Sequence, residues 1–235
     1  MDATEQSLGS LTASLFTPNR IGEYGAKAIY FHKSQRKRVL LLNLIGNMMQ
    51  MGITVILGII GLWTFANAHP IEVDFLKISR GIVVFFVVLS MIFIGLKKTR
   101  FTIKGVSFDK IKRFVFDLST RIKFLAFAFS LIRYAIFSFQ FYFLLQIFGV
   151  GLSYLEAISI ITSMYLLASA IPSFFIFDVI VKGSVAVYLF SMVGVNELTI
   201  LCIITLMWLF NFVLPSIFGS YYVLNFNLPI DDQTP

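Results

Sequence analysis

Residues that carry most protein chemistry are scarce in this chain. It has one cysteine, Cys202, and two histidines, His32 and His69, in 235 residues. A lone cysteine in an apolar run excludes an intrachain disulfide and a cysteine metal site. The histidines stand far apart, with no metal-ligand spacing, and no Ser/His or Cys/His set is present. No cofactor and no metal are therefore expected. Charge is sparse as well, at 13% of residues.

Apolar surface is abundant. Hydrophobic residues make up 58% of the chain, with phenylalanine at 27 positions, and the mean hydropathy is +0.87. A soluble domain balances core and surface at about half apolar residues, so this composition points to an all-α integral membrane protein. Residues 1–14 are polar and acidic, whereas a cleavable signal peptide is basic and then apolar. The internal spans are expected to serve as targeting signals.

One membrane domain over residues 1–235 accounts for the length. A span needs about 20 apolar residues, and residues 39–65, 78–96, 124–150 and 198–224 are the expected crossings of a polytopic bundle. Between the last two, residues 157–195 are apolar but broken by Pro172, Asp178, Lys182 and Gly183. Proline removes a donor and bends a helix, so this stretch reads as a re-entrant hairpin, or as one full span plus a half-helix. Residues 8–31 have the same broken character. Backbone freed at such breaks must be buried in protein or line a polar cavity.

The two broken stretches share a pattern of proline, acid and lysine. It is Pro18, Glu23, Lys27 in the first and Pro172, Asp178, Lys182 in the second. Paired broken segments in two halves point to a transport site near mid-bilayer. Basic residues set the orientation. Lys33, Arg36, Lys37 and Arg38 form one cluster; residues 97–123 hold nine Lys and Arg against Asp109 and Asp117. Both are expected to be cytoplasmic, so the two broken stretches would enter from opposite faces as an inverted repeat, the alternative being a chance likeness of two short strings. Phe108, Ile111, Phe114, Val115, Leu118 and Ile122 recur at helical spacing within 97–123. That segment reads either as an amphipathic helix on anionic lipid headgroups or as a loop that sets topology. Nucleic acid is not an expected partner.

Charges inside apolar segments are costly, about 2.5–3.5 kcal/mol each at a helix centre, and usually face a cavity or a partner. Glu23 and Lys27, like Asp178 and Lys182, are four apart and share a helix face. They are either functional or structural ion pairs at a break. Arg133 lies deep in its span, with Gln140 on the same face. Its planar fork suits phosphate; the other role open to it is to pair with Asp178 or Glu23. Asn43, Asn47, Gln50 and Thr54 form one polar stripe, either interhelical glue or the lining of a groove. Gly58, Gly61 and Gly219 read as close-packing positions, and Trp63, Trp208, Tyr221 and Tyr222 as interface anchors.

The string Thr17-Pro-Asn-Arg-Ile-Gly-Glu-Tyr-Gly-Ala-Lys27, followed by the basic cluster and the Asn47, Gln50, Thr54 helix, resembles the lysylphosphatidylglycerol synthase transmembrane family, the flippase-like domain. Pro-x-Arg-x-Gly-Glu is its specific part. The Pro172 to Lys182 region is similar to that family's second break, with Ser173-Phe174-Phe175 where a glycine-rich turn is usual. The resemblance implies a chain shortened at its N-terminus and lacking the aminoacyl-transferase domain, so lysyl transfer is not expected. It implies flipping of a phospholipid or lipid-linked headgroup in the cell membrane. Arg20, Lys27, Arg133 and Lys182 would hold phosphate and Glu23 and Asp178 would balance them, with Asn47 and Gln50 lining the path. A non-catalytic assembly subunit, with a membrane partner protein or a second copy, and a membrane enzyme acting on a lipid-linked substrate are the competing expectations.

Overall fold

The computed structural model describes residues 3–15, 17, 21–69, 108–171 and 175–226. The expected span 78–96, the first part of the basic segment, and Pro18, Arg20 and Pro172 lie outside these residues. The described chain is helical throughout. Helices α1 (Ala3–Ala13), α2 (Ile21–Ile29) and α3 (Lys33–Ala68) come first. Next are α4 (Phe108–Asp117), α5 (Thr120–Ile147), α6 (Tyr154–Ser169) and α7 (Phe175–Ser191), then α8 (Glu197–Trp208) and α9 (Leu214–Leu224), joined by a π-turn at Leu209–Val213. Three helices are long and apolar enough to cross a membrane: Lys33–Ala68, Thr120–Ile147 and the continuous Glu197–Leu224.

Local chemistry sets the ends. Helix α3 stops at His69, which is extended (φ −122°, ψ 119°) because a residue before proline, here Pro70, is pushed out of the helical region. Helices α5 and α7 close alike, on Gly149 (φ 74°) and Gly194 (φ 75°). The following residue then donates back, Val150 N to Leu145 O and Val195 N to Phe190 O, as a left-handed helix stop requires. Ser153 and Asn196 cap α6 and α8 with their side chains. The π-turn also has a sequence cause. Pro215 cannot donate to the Asn211 carbonyl one turn earlier, and Leu214 N bonds Leu209 O instead.

Several boundaries differ from expectation. The basic residues from Lys33 to Arg38 form the first turns of α3, ahead of the expected start of that span at 39, since Lys and Arg are good helix formers. The expected broken stretch 157–195 falls on two helices, Tyr154–Ser169 of 16 residues and Phe175–Ser191 of 17. Trp208 is not at a span end; it sits inside the continuous Glu197–Leu224 helix.

Helices α3 and α6 cross closely and antiparallel. Gly61 of α3 faces Ser159 and Thr162 of α6, and Gly58 faces Thr162 and Leu166, while His69 Nε2 is 3.6 Å from Glu156 Oε1 where the two helices end. Helix α1 runs antiparallel to α9 in the same manner: Thr12 Oγ1 donates to Ser216 O at 3.1 Å, and Gly9 lies beside Tyr222. The main core gathers at one end of the bundle. There Phe65, Phe141, Leu145, Ile160, Ile161, Phe190, Ile200 and Ile203 are almost fully buried, and the Phe141 and Phe190 rings stack at 5.6 Å.

These contacts define two hairpins of opposite sense. The α1–α2 hairpin has its base at the Lys33 end of α3 and the Leu224 end of α9, where Tyr30 packs on Phe226 with ring centroids 4.7 Å apart. The α6–α7 hairpin has its base in the core, through Ala157 and Phe190, at the Ala68 end of α3. The described residues beside each break, Ser14 and Thr17 in the first and Ala168 and Ser169 in the second, lie within the bundle against a common cavity.

Candidate functional site

Both hairpin tips open onto one cavity of about 590 Å³. The first supplies Ser14, Thr17 and Glu23; the second supplies Ala168, Ser169 and Asp178. Phe141, Met164, Ile204 and Met207 belong both to the core and to the cavity wall, so packed side chains close that end. A second cavity of about 420 Å³ lies beside the first. Glu23, Gln50 and Arg133 line both.

Each acid stands in the first turn of the helix that follows a break, Glu23 in α2 and Asp178 in α7. A negative charge there meets the positive end of the helix dipole, worth about 0.3–1 kcal/mol. Its lysine follows one turn later. Lys182 Nζ is 2.7 Å from Asp178 Oδ2, whereas Lys27 Nζ is 3.8 Å from Glu23 Oε1. The second pair is a tight charge-assisted hydrogen bond and the first a looser ion pair.

Arg133 makes no ion pair with Glu23 or Asp178 among the described residues. Its guanidinium carbon lies 5.7 Å from the centroid of the Phe137 ring, a contact through the ring face that uses none of its five N–H donors. Gln140 serves another purpose. It turns to the π-turn, where Asn211 Nδ2 donates to Gln140 Oε1 at 2.9 Å and to Met207 O at 2.8 Å, tying α5 to the last long helix.

The amide stripe of α3 follows the two cavities. Asn43 and Asn47 line the second, Thr54 the first, and Gln50 both. Asn47 donates to Asn43 O at 3.1 Å and Thr54 to Gln50 O at 3.0 Å. Burial raises the Tyr24 phenol of α2 above its ordinary value, and the neighbouring Glu23 adds to this. Tyr24 sits on α2, which is too short to span a membrane. The phenol therefore stays protonated and available as a donor.

Of the residues singled out from sequence, Glu23, Lys27, Asn47, Gln50, Arg133, Asp178 and Lys182 are all brought to these cavities, and Arg20 lies outside the described residues. Sequence reasoning did not find Tyr134, Tyr165 and Asn211. Tyr134 and Tyr165 meet edge to face at 5.7 Å, and Tyr165 donates to Phe137 O at 3.3 Å. Two tyrosines among many aromatics left no signal, but Asn211 did: a polar residue four positions before Pro215 in an apolar run. Trp208, read as an anchor, is instead part of the cavity wall. No cluster of His, Cys, Asp and Glu among the described residues could hold a metal ion.

No family model, curated protein or solved structure matches this chain.

Proposed function

We propose that this chain is a multi-pass protein of the cell membrane that moves the headgroup of a phospholipid or lipid-linked substrate from one leaflet to the other, with no covalent step. The observation that carries this reading is the convergence of two broken hairpins, based at opposite ends of the bundle, on one cavity with an acid–lysine pair at each tip. A charged headgroup cannot cross hydrocarbon unaided, and buried polar groups with broken backbone are tolerated at that depth only around a cavity.

Further features support it. The order short helix, break, short helix, long helix occurs twice, as α1–α2–α3 and α6–α7–α8/α9, in keeping with an inverted repeat that alternates access to a fixed site. The basic starts of α3 and α5 lie at the same end of the bundle, since both helices carry their opposite ends into the core. That is the arrangement of a cytoplasmic face, where α4 would rest on anionic headgroups. The resemblance of residues 17–27 to the lysylphosphatidylglycerol synthase transmembrane family points to the same class of substrate.

The test is a leaflet-exchange assay. Purified protein is reconstituted in vesicles containing a fluorescent phospholipid, and a membrane-impermeant quencher reports lipid reaching the outer leaflet. The expected result is exchange well above that of protein-free vesicles, lost in Glu23→Gln, Arg133→Ala and Asp178→Asn variants that still reconstitute as folded protein. Wild-type exchange no faster than the bare vesicles, or normal exchange in all three variants, would overturn the reading. Conversion of the lipid into a chemically new product would replace transport by enzymology.

A further inference from the structure

The cavities differ in chemistry, and the difference names the ligand more closely. The first is walled mostly by aromatic and aliphatic side chains, including Tyr134, Phe137, Phe141, Met164 and Tyr165. The second has Tyr24, Asn43, Asn47, Gln50 and Ser130 in its lining, together with Lys27, Glu23 and Arg133. Five charged described residues line the two cavities together: Glu23, Asp178, Lys27, Lys182 and Arg133. Each acid is bonded to the lysine on its own helix. Arg133 is then the surplus charge, so the described lining asks for one anion.

The polar wall asks for hydroxyl groups. Asn43 Nδ2 is buried with no hydrogen-bond partner among the described residues, a costly state unless something accepts from it. Carboxamides and phenols both donate and accept, as hydroxyls do, so a polyol can satisfy several of them in one pose. An ammonium headgroup fits this cavity poorly. It has donors only, and the sole described carboxylate there, Glu23, shares the wall with two cations.

Taking the cavities as a lipid-headgroup site, as proposed above, we infer that the ligand is a monoanionic phosphodiester bearing a polyhydroxyl headgroup. Its phosphate sits on Arg133, where the two cavities meet. Its hydroxyls lie against Asn43, Asn47, Gln50, Ser130 and Tyr24, and the rest of the molecule leaves along the aromatic walls of the first cavity. Arg133 sets the charge of the ligand, and the amide stripe sets its hydroxyl content. Four amide and hydroxyl residues in register on α3 are then explained as a recognition surface.

The experiment measures binding, independently of transport. Trp208 lines the first cavity and the chain has two tryptophans, so Trp63→Phe leaves Trp208 as the only indole reporter. Full-length protein carrying that change, in a polyoxyethylene detergent with no sugar headgroup, is titrated with short-chain phosphatidylglycerol and phosphatidylinositol. Phosphatidylmethanol, of equal charge but without hydroxyls, phosphatidylcholine, and free glycerophosphoinositol, a soluble monoanionic phosphodiester, are titrated alongside. At least one polyol lipid is expected to bind about tenfold tighter than phosphatidylmethanol, the effect of one or two good hydrogen bonds, with phosphatidylcholine weaker still.

Arg133→Ala is expected to weaken all the anionic lipids by about tenfold or more, with Arg133→Lys between it and the parent. Asn43→Leu is expected to narrow the gap between polyol lipid and phosphatidylmethanol while leaving phosphatidylmethanol binding intact, which also shows that the variant is folded. Equal affinity for phosphatidylmethanol and both polyol lipids, or tighter binding of phosphatidylcholine, overturns this inference alone. Binding of no lipid at all overturns the transport reading with it. Glycerophosphoinositol binding as tightly as phosphatidylinositol supports the polyol-phosphodiester chemistry and assigns the site to a soluble ligand.

Discussion

Replacement of Gly61 by alanine tests the geometry that holds the second hairpin in place. A Cβ at this position would overlap Thr162 Oγ1, lie 2.8 Å from Ser159 O and 3.0 Å from Thr162 Cβ. The hydroxyl cannot simply swing away, because it donates to Ile158 O at 2.8 Å and to Ser159 O at 3.2 Å. Ser159 O is backbone, so α3 and α6 must separate. Inserting a methyl into a packed site of this kind costs about 1–3 kcal/mol, offset by about 0.5–1 kcal/mol for alanine over glycine in a helix. Gly52 on the same helix is the control: an added Cβ there meets nothing within 4 Å, so only the helix term applies. The helix term is common to both, so the two variants should differ by about 1–3 kcal/mol, equivalent to roughly 2–12 °C in melting temperature for a chain of this size. Thermal unfolding in one detergent, followed by circular dichroism, reads the difference. Adding Thr162→Ala to Gly61→Ala should recover part of the loss, because the two residues touch. Melting of Gly61→Ala within a degree of Gly52→Ala would refute the close crossing and, with it, the placement of the α6–α7 hairpin.

Two further outcomes follow from the same contacts. Asn211→Leu and Gln140→Leu should each destabilise the protein, and the double variant should cost less than their sum, with a coupling of about 0.6–2 kcal/mol for an interhelical hydrogen bond in an apolar setting; strict additivity in a thermal double-mutant cycle would count against the 2.9 Å contact. In a Cys202→Ser background, His32→Cys and Ser153→Cys sit at the bases of the two hairpins, so an impermeant maleimide applied to sealed right-side-out cells should label Ser153→Cys alone. Labelling of both positions from one side would refute the opposite-ended topology in the membrane.

Much of the site was legible because charge in an apolar chain is conspicuous. A glutamate and lysine, or an aspartate and lysine, four positions apart after a proline can be read as an ion pair on a short helix, and both pairs form at that spacing. Asn43, Asn47, Gln50 and Thr54 have a helical period, so their common face needs no tertiary information. The partner of Arg133 was not legible. Sequence offers Glu23 and Asp178 equally, but the contact settled on is the ring of Phe137, four positions along its own helix. Helix ends were blurred for a different reason: hydropathy marks where lipid-compatible residues run, whereas the hydrogen-bond ladder of α3 continues through its basic start to Lys33. Trp208 was misjudged and the Asn211 partner of Gln140 was not foreseen, since side-chain direction within an apolar helix depends on its neighbours.

The two ion pairs are not equivalent, and that bears on how such a site would work. At 2.7 Å, Asp178 and Lys182 share a charge-assisted hydrogen bond. At 3.8 Å, Glu23 and Lys27 are held more loosely, and Glu23 belongs to both cavities while Asp178 belongs to the first. A ligand phosphate on Arg133 therefore arrives beside the looser pair. It can draw Lys27 from Glu23 with little lost interaction, because partly exposed pairs of this kind contribute about 0–1 kcal/mol. Glu23 is then left facing the ligand in the first turn of α2. On the proposed transport reading, the α1–α2 hairpin is the element whose position responds to the headgroup, and the α6–α7 hairpin, fixed by the glycine crossing and by the core, is the element against which it moves.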